Sequence, residues 1–78
     1  MTIITASDIA LRMASIDWDC IEDRAEFSQR VRIEGRDFAG LDCEWSLRGI
    51  MEEYGCDAAT AEAAHAAYPA ALRQIATA

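Results

Sequence analysis

AEFSQRVRI, residues 25–33, is the stretch on which the fold class turns. Read with a period of two, Ala25, Phe27, Val31 and Ile33 share one face. Glu26, Ser28, Arg30, Arg32 and Glu34 share the other, as on a half-buried strand. Gln29 is the one polar residue on the apolar face. The alternation predicts a strand near 25–33, closed by a turn through Gly35 in the EGR that follows. A lone strand needs a mate, and the β-branched run at 2–5 is the candidate. A helix over 18–31 using Ile21, Phe27 and Val31 competes. The strand makes the chain a helix-rich α+β domain; the helix makes it all-α.

Upstream, Thr5 or Ser7 can cap a helix near 6–15, with Asp8 well placed against its N-terminal dipole. Ile9, Met13 and Ile16, with Ala10, make its buried stripe. DWDCIED (residues 17–23) puts four acids around Trp18, Cys20 and Ile21. It reads as a turn leading into a short segment, helical or extended. Downstream, Gly40 lies in a loop over 38–41, and Asp42 is expected to cap a helix over 42–54 in which Trp45 and Leu47 pack. Gly49 is a weak interior point of that helix. A last helix is expected over 58–75. Pro69 would clash with the carbonyl of His65, so a kink is expected there, or a break with Pro69 opening a short final helix. The closing residues 76–78 should fray.

Between the two C-terminal helices, LRGIMEEYGCDAATAEAAH (residues 47–65) reads as a helix, a tight turn and a second helix. Gly55 suits the left-handed position that ends a helix without a steric penalty. Asp57 can accept from the N–H of Thr60 or Ala59 as the next N-cap. IMEEYGCDAATAEAAH, 16 of the 78 residues, resembles the helix-turn-helix of DNA-binding regulators through Gly55, Ala61 and Ala64. Met51 departs from the small residue usual in the first helix. The chemistry departs further. A recognition helix reads bases with Arg, Lys, Asn or Gln, whereas this one offers Thr60, Glu62 and His65 among alanines.

Composition narrows the function classes. Fourteen acids against seven bases, all of them arginine, leave a net charge of −7 and a pI near 4.4. Phosphate backbones and anionic membranes repel such a chain, and a basic protein surface attracts it. No run approaches the length of a membrane span, and MTIITASD lacks the basic start of a signal peptide. Three cysteines are an odd set, read as reduced thiols in the cytoplasm. A chain of this size buries only about 60% of its unfolded surface. One small domain, monomeric or weakly dimeric, is expected.

Catalytic and metal readings find little support. Cys20, Cys43, Cys56 and His65 lack the paired-cysteine knuckle of a structural zinc site. Cys56, His65 and Asp57 supply the residue types of a nucleophilic triad, as do many chains of this composition. Neither an enzyme nor a cofactor is expected. The acids are the surviving signal. Asp17, Asp19, Glu22, Asp23 and Glu26 form one group. Asp42, Glu44, Glu52, Glu53, Asp57 and Glu62 form a second, relieved only by Arg48. Carboxylates spaced along a helix pair present negative charge at intervals comparable to phosphates. They could occupy a channel built for nucleic acid. Trp18 and Trp45, each beside acids, are core members if buried and partner anchors if exposed.

On these two acidic groups the chain resembles the small inhibitors carried by phages and mobile elements, of which anti-CRISPR proteins are the best known. The resemblance is one of class and transfers no binding residue. It implies a non-catalytic protein that binds a CRISPR surveillance complex and blocks DNA recognition. The second reading is a transcriptional regulator whose Arg24, Arg30, Arg32 and Arg36 touch DNA. A structural adaptor is the third.

Overall fold

A computed structural model describes residues 4–78, and among them there are four α-helices and no strand. They are α1 (Ala6–Asp19), α2 (Arg24–Glu34), α3 (Leu47–Tyr54) and α4 (Ala58–Ala76), with 3₁₀ turns at Gly35–Asp37 and Ala39–Leu41 between α2 and α3. The chain is all-α, and the expected α+β fold is overturned: residues 25–33 lie inside α2. The strand mate expected at 2–5 falls partly outside the described residues; Ile4 and Thr5 are neither strand nor helix.

Each helix begins on a side-chain oxygen. Thr5 accepts from the N–H of Asp8 at 3.2 Å, Asp23 from Glu26 at 3.0 Å, Ser46 from Gly49 at 3.0 Å and Asp57 from Thr60 at 2.8 Å. Each bond satisfies one of the donors that a helix start leaves unpaired. The caps explain the corrected boundaries. Asp23 and Glu26 stand in the spacing of a capping box, a helix-start signal that outweighs the alternation behind it. Asp42 is not a cap. It ends the second 3₁₀ turn in extended backbone, and α3 starts later, from Ser46.

Helix α4 is the spine that α1, α2, α3 and the second 3₁₀ turn all touch, with α1 making the most extensive contact. Ile9, Ala10, Met13 and Ala14 of α1 are fully buried, against Ala61, Ala64, Tyr68, Ala71 and Leu72 of α4. Alanines on both surfaces let two backbones approach closely, and Met13, Leu72 and Ile50 fill the remaining volume. The inner row of α1 follows positions 10, 14 and 17, so Ile16 is turned outward and 47% exposed. The expected stripe holds at Ile9, Ala10 and Met13 and fails only at Ile16; half-buried Asp17 continues that side instead.

Pro69 does not break α4, which runs unbroken from Ala58 to Ala76. The lost N–H and the ring cost a helix interior about 3 kcal/mol, and here tertiary packing offsets it. Tyr68, Ala71 and Leu72, on either side of the proline, are buried in the core. Gly55 has φ +61° and ends α3 in the left-handed conformation, as its position between two helices requires.

Candidate functional site: an acidic, aromatic cleft around Asp17

Asp17 lies in the last turn of α1, where the helix dipole disfavours a carboxylate. Its place on the inner row leaves it half-buried, so it needs donors. It has two. The indole Nε1 of Trp45 donates to Oδ2 at 3.0 Å, and the hydroxyl of Tyr68 donates to the same oxygen at 2.5 Å. The three residues come from α1, from the link before α3 and from the middle of α4, so one carboxylate ties three segments together. Burial pushes the Tyr68 hydroxyl well above the ordinary tyrosine range, and the adjacent Asp17 charge adds to it. The hydroxyl therefore stays a donor.

The link over 42–46 is extended, and its burial alternates. Cys43 and Trp45 are half-buried while Asp42, Glu44 and Ser46 face solvent. That period of two delivers the Trp45 indole to Asp17 and leaves Asp42 and Glu44 on the rim. Burial raises the pKa of the Cys43 thiol, which keeps it in its inert, protonated form. The Trp45 ring also lies 6.3 Å from that of Tyr54 on α3. The Tyr54 hydroxyl is buried without a hydrogen-bond partner among the described residues. That burial, with Glu53 beside it, raises its pKa.

Asp17 and its two donors border a cleft of about 440 Å³, lined also by Asp42 and Glu44, by the ring of Phe27 and by apolar neighbours. Among the described residues no basic side chain lines it. Phe27 is held there by an aromatic chain. Its ring meets Trp18 edge-on at 5.9 Å and Phe38 at 5.1 Å, and the Arg30 guanidinium lies 4.9 Å over Phe38. Gly40 is required beneath those rings, because a Cβ would sit 2.5 Å from Phe38 and 3.1 Å from Phe27. Carboxylates beside ring faces suit a cation, above all a planar guanidinium that pairs and stacks at once.

The two acidic groups are thus joined through part of their members. Asp17 of the first meets Asp42 and Glu44 of the second. The others are placed elsewhere or given local tasks. Asp23 caps α2, and Glu26 supplies the N–H it accepts. Asp57 caps α4, and its bonds to Thr60 hold its carboxyl below the usual range. Glu52 pairs with Arg48 at 3.1 Å. Glu53 borders a separate groove with Leu11 and Arg12. Asp19, Glu22 and Glu62 are exposed. Trp18 and Trp45 are both half-buried and packed against the core, so neither is simply interior or simply an anchor. Sequence reading missed Tyr68 and Phe27. An aromatic with a hydroxyl beside a helix proline was the available signal for Tyr68, but nothing local pointed to Asp17, 51 residues away.

The four arginines of the regulator reading do not form one free face. Arg24 donates to the carbonyls of Trp18 and Asp19, closing the end of α1 at 3.1 and 3.2 Å. Arg30 pairs with Glu34 at 2.9 Å. Arg32 is exposed, and Arg36 borders a different depression. Among the described residues no group of three or more His, Cys, Asp or Glu is arranged to hold a metal ion. The Cys56 thiol points at the Ile50 carbonyl, and Asp57 is engaged as a cap. No described helix is long and apolar enough to cross a membrane. No family model matches the chain, and neither a curated protein nor a solved structure matches it significantly.

Proposed function

We propose that this chain is a non-catalytic, protein-binding inhibitor that presents its acidic cleft to a basic surface of a nucleic-acid-handling partner. In its most specific form, the partner is a CRISPR surveillance complex whose recognition of DNA is blocked, as anti-CRISPR proteins do. The observation that carries the reading is the cleft: Asp17, Asp42 and Glu44 face Phe27, Trp45 and Tyr68 with no cation among them. Asp17 Oδ2 is occupied by two donors, which orients the carboxylate and leaves Oδ1 without a donor among the described residues. A surface arginine of the partner fits that chemistry, and the charge of −7 steers its approach. Capture from host lysate by the tagged chain, at about 50 and then about 500 mM salt, tests it. A nucleic-acid-binding complex should be recovered, weaken at high salt and be displaced by DNA. Asp42→Asn with Glu44→Gln should lower the recovery without changing the melting temperature. Retention of DNA by the purified chain alone sinks this reading.

A second reading, a helix-turn-helix regulator, draws on the corner between α3 and α4, with its left-handed Gly55. Against it stands the outward face of α4, where Ala58, Ala59, Glu62, Ala63 and Ala66 offer no base-reading group. Gel-shift assays with purified protein separate the two.

A further inference from the structure

Arg36, in the first 3₁₀ turn, and Arg73, near the end of α4, converge on one depression of about 260 Å³. The rest of its lining is Leu41, Ala66, Pro69 and Ala70. Among the described residues no acid lines it, although acids outnumber bases fourteen to seven in the chain. Three other arginines are engaged: Arg24 with helix-end carbonyls, Arg30 with Glu34, Arg48 with Glu52. The side chains of Arg36 and Arg73 make no ion pair or hydrogen bond among the described residues. The depression shares no lining residue with the acidic cleft. Leu41 borders one, and the next residue, Asp42, borders the other, so the second 3₁₀ turn divides two regions of opposite charge.

From this juxtaposition we infer that the Arg36–Arg73 depression is an oxyanion site and that it takes a phosphoryl group. Two arginines line one hollow with no acid beside them, and an anion held there would balance their like charge. Each presents a planar fork of N–H donors that matches oxyanion geometry. Apart from the two arginines, the walls carry no polar side chain to compete for those donors. A carboxylate presents one edge and one charge. A phosphate monoester presents oxygens on several sides and close to two charges, and so satisfies two forks from two elements at once. A polymer of phosphodiesters carries one charge per unit and is repelled by the acidic remainder of the surface. The ligand class is therefore a small phosphorylated molecule or a single phosphorylated side chain. The site is independent of the acidic cleft and of the function proposed for it.

The test is titration of the isotopically labelled chain with inorganic phosphate at constant ionic strength. It is followed by NMR of the arginine Nε–Hε and backbone amide signals, with sodium chloride and acetate as reference titrations. Saturable shifts confined to Arg36, Arg73 and the amides of Leu41 and Ala70 are expected. Arg36→Gln and Arg73→Gln should each weaken binding about tenfold, the usual consequence of losing one charged hydrogen-bond partner, while Arg32→Gln, outside the lining, should not. Arg36 is exposed, so its variant keeps the test valid if the Arg73 variant unfolds. Shifts that never saturate, or that spread over all the arginines, mean an adventitious ion only and overturn the site. Acetate binding as tightly as phosphate overturns the phosphoryl assignment. A single-stranded oligonucleotide without terminal phosphate, binding more tightly than phosphate, overturns the exclusion of polymers. A phosphoserine peptide and free phosphate distinguish the two sources by which of them binds more tightly.

Discussion

Helices α1 and α2 start alike, each on a side-chain cap, yet they are held in different ways. Helix α1 buries Ile9, Ala10, Met13 and Ala14 completely, whereas α2 buries only Val31. The first is fixed by a long face against α4. The second is fixed at its margins: by the Phe27–Phe38 contact, and by Arg24, whose guanidinium reaches back to the carbonyls that end α1. A helix held by its face must carry an apolar row, and α1 does. A helix held by its margins need not, and α2 carries so little that its sequence imitates a strand.

Substitutions and titrations along the chain break or sharpen that contrast. Met13→Ala should cost about 2–5 kcal/mol in chemical denaturation, the range for truncating a buried side chain that neighbours cannot replace. Ile33→Ala, on α2 and 74% exposed, should stay within about 0.5 kcal/mol. Equal losses at the two positions would show that α2 is held by a face after all.

Tyr68→Phe removes one of the two donors to Asp17 and should cost about 1–3 kcal/mol. The loss should shrink in an Asp17→Ala background, because the bond is already gone there; additive effects in that double-mutant cycle would deny the coupling. The same hydroxyl predicts a pH dependence. Its pKa is raised in the folded state, so its contribution is complete below the ordinary tyrosine range and is lost as pH climbs through the folded value. Ultraviolet titration should find Tyr68 ionising above a free tyrosine, and an ordinary value would remove it from the cleft.

Gly40→Ala probes the margin of α2. The new methyl would enter the space of Phe38 and Phe27, so a loss of about 1–2 kcal/mol is expected, with a change in the near-ultraviolet circular dichroism of the rings. A neutral result would show that the aromatic contacts do not hold α2. The smallest effect belongs to Asp57. Its pKa is lowered in the folded state, so its contribution is present above the ordinary carboxyl range and fades as pH falls through the folded value. Asp57→Asn keeps a capping oxygen and should flatten that part of the acid-side melting profile; an unchanged slope would place the acid sensitivity in other carboxylates.

The function classes are sharpened by the same geometry. Acid-rich composition suggested a basic protein partner, but it treated eleven carboxylates as one resource. The folded chain assigns them unequal tasks: Asp23 and Asp57 are caps, Glu52 answers Arg48, and Asp17, Asp42 and Glu44 share a cleft with three aromatic rings. Spacing along the chain could not separate these roles, because a capping carboxylate and a binding carboxylate are the same residue type.

What the sequence determined by itself is local. Gly55 between two helical runs, Asp57 three residues before Thr60, Thr5 before Asp8 and the helical bias of the alanines each follow from contacts within a turn, and all appear in the structure. The capping spacing of Asp23 and Glu26 was equally local, and the alternation of residues 25–33 hid it. Tertiary structure decided the rest. It turned Ile16 and Ile33 outward, carried α4 through Pro69 and brought Trp45 and Tyr68 to one oxygen of Asp17. The physical reason is one of range. A cap closes over three residues and needs no partner, whereas burial, the tolerance of a proline and the satisfaction of a half-buried carboxylate depend on what a distant segment places opposite.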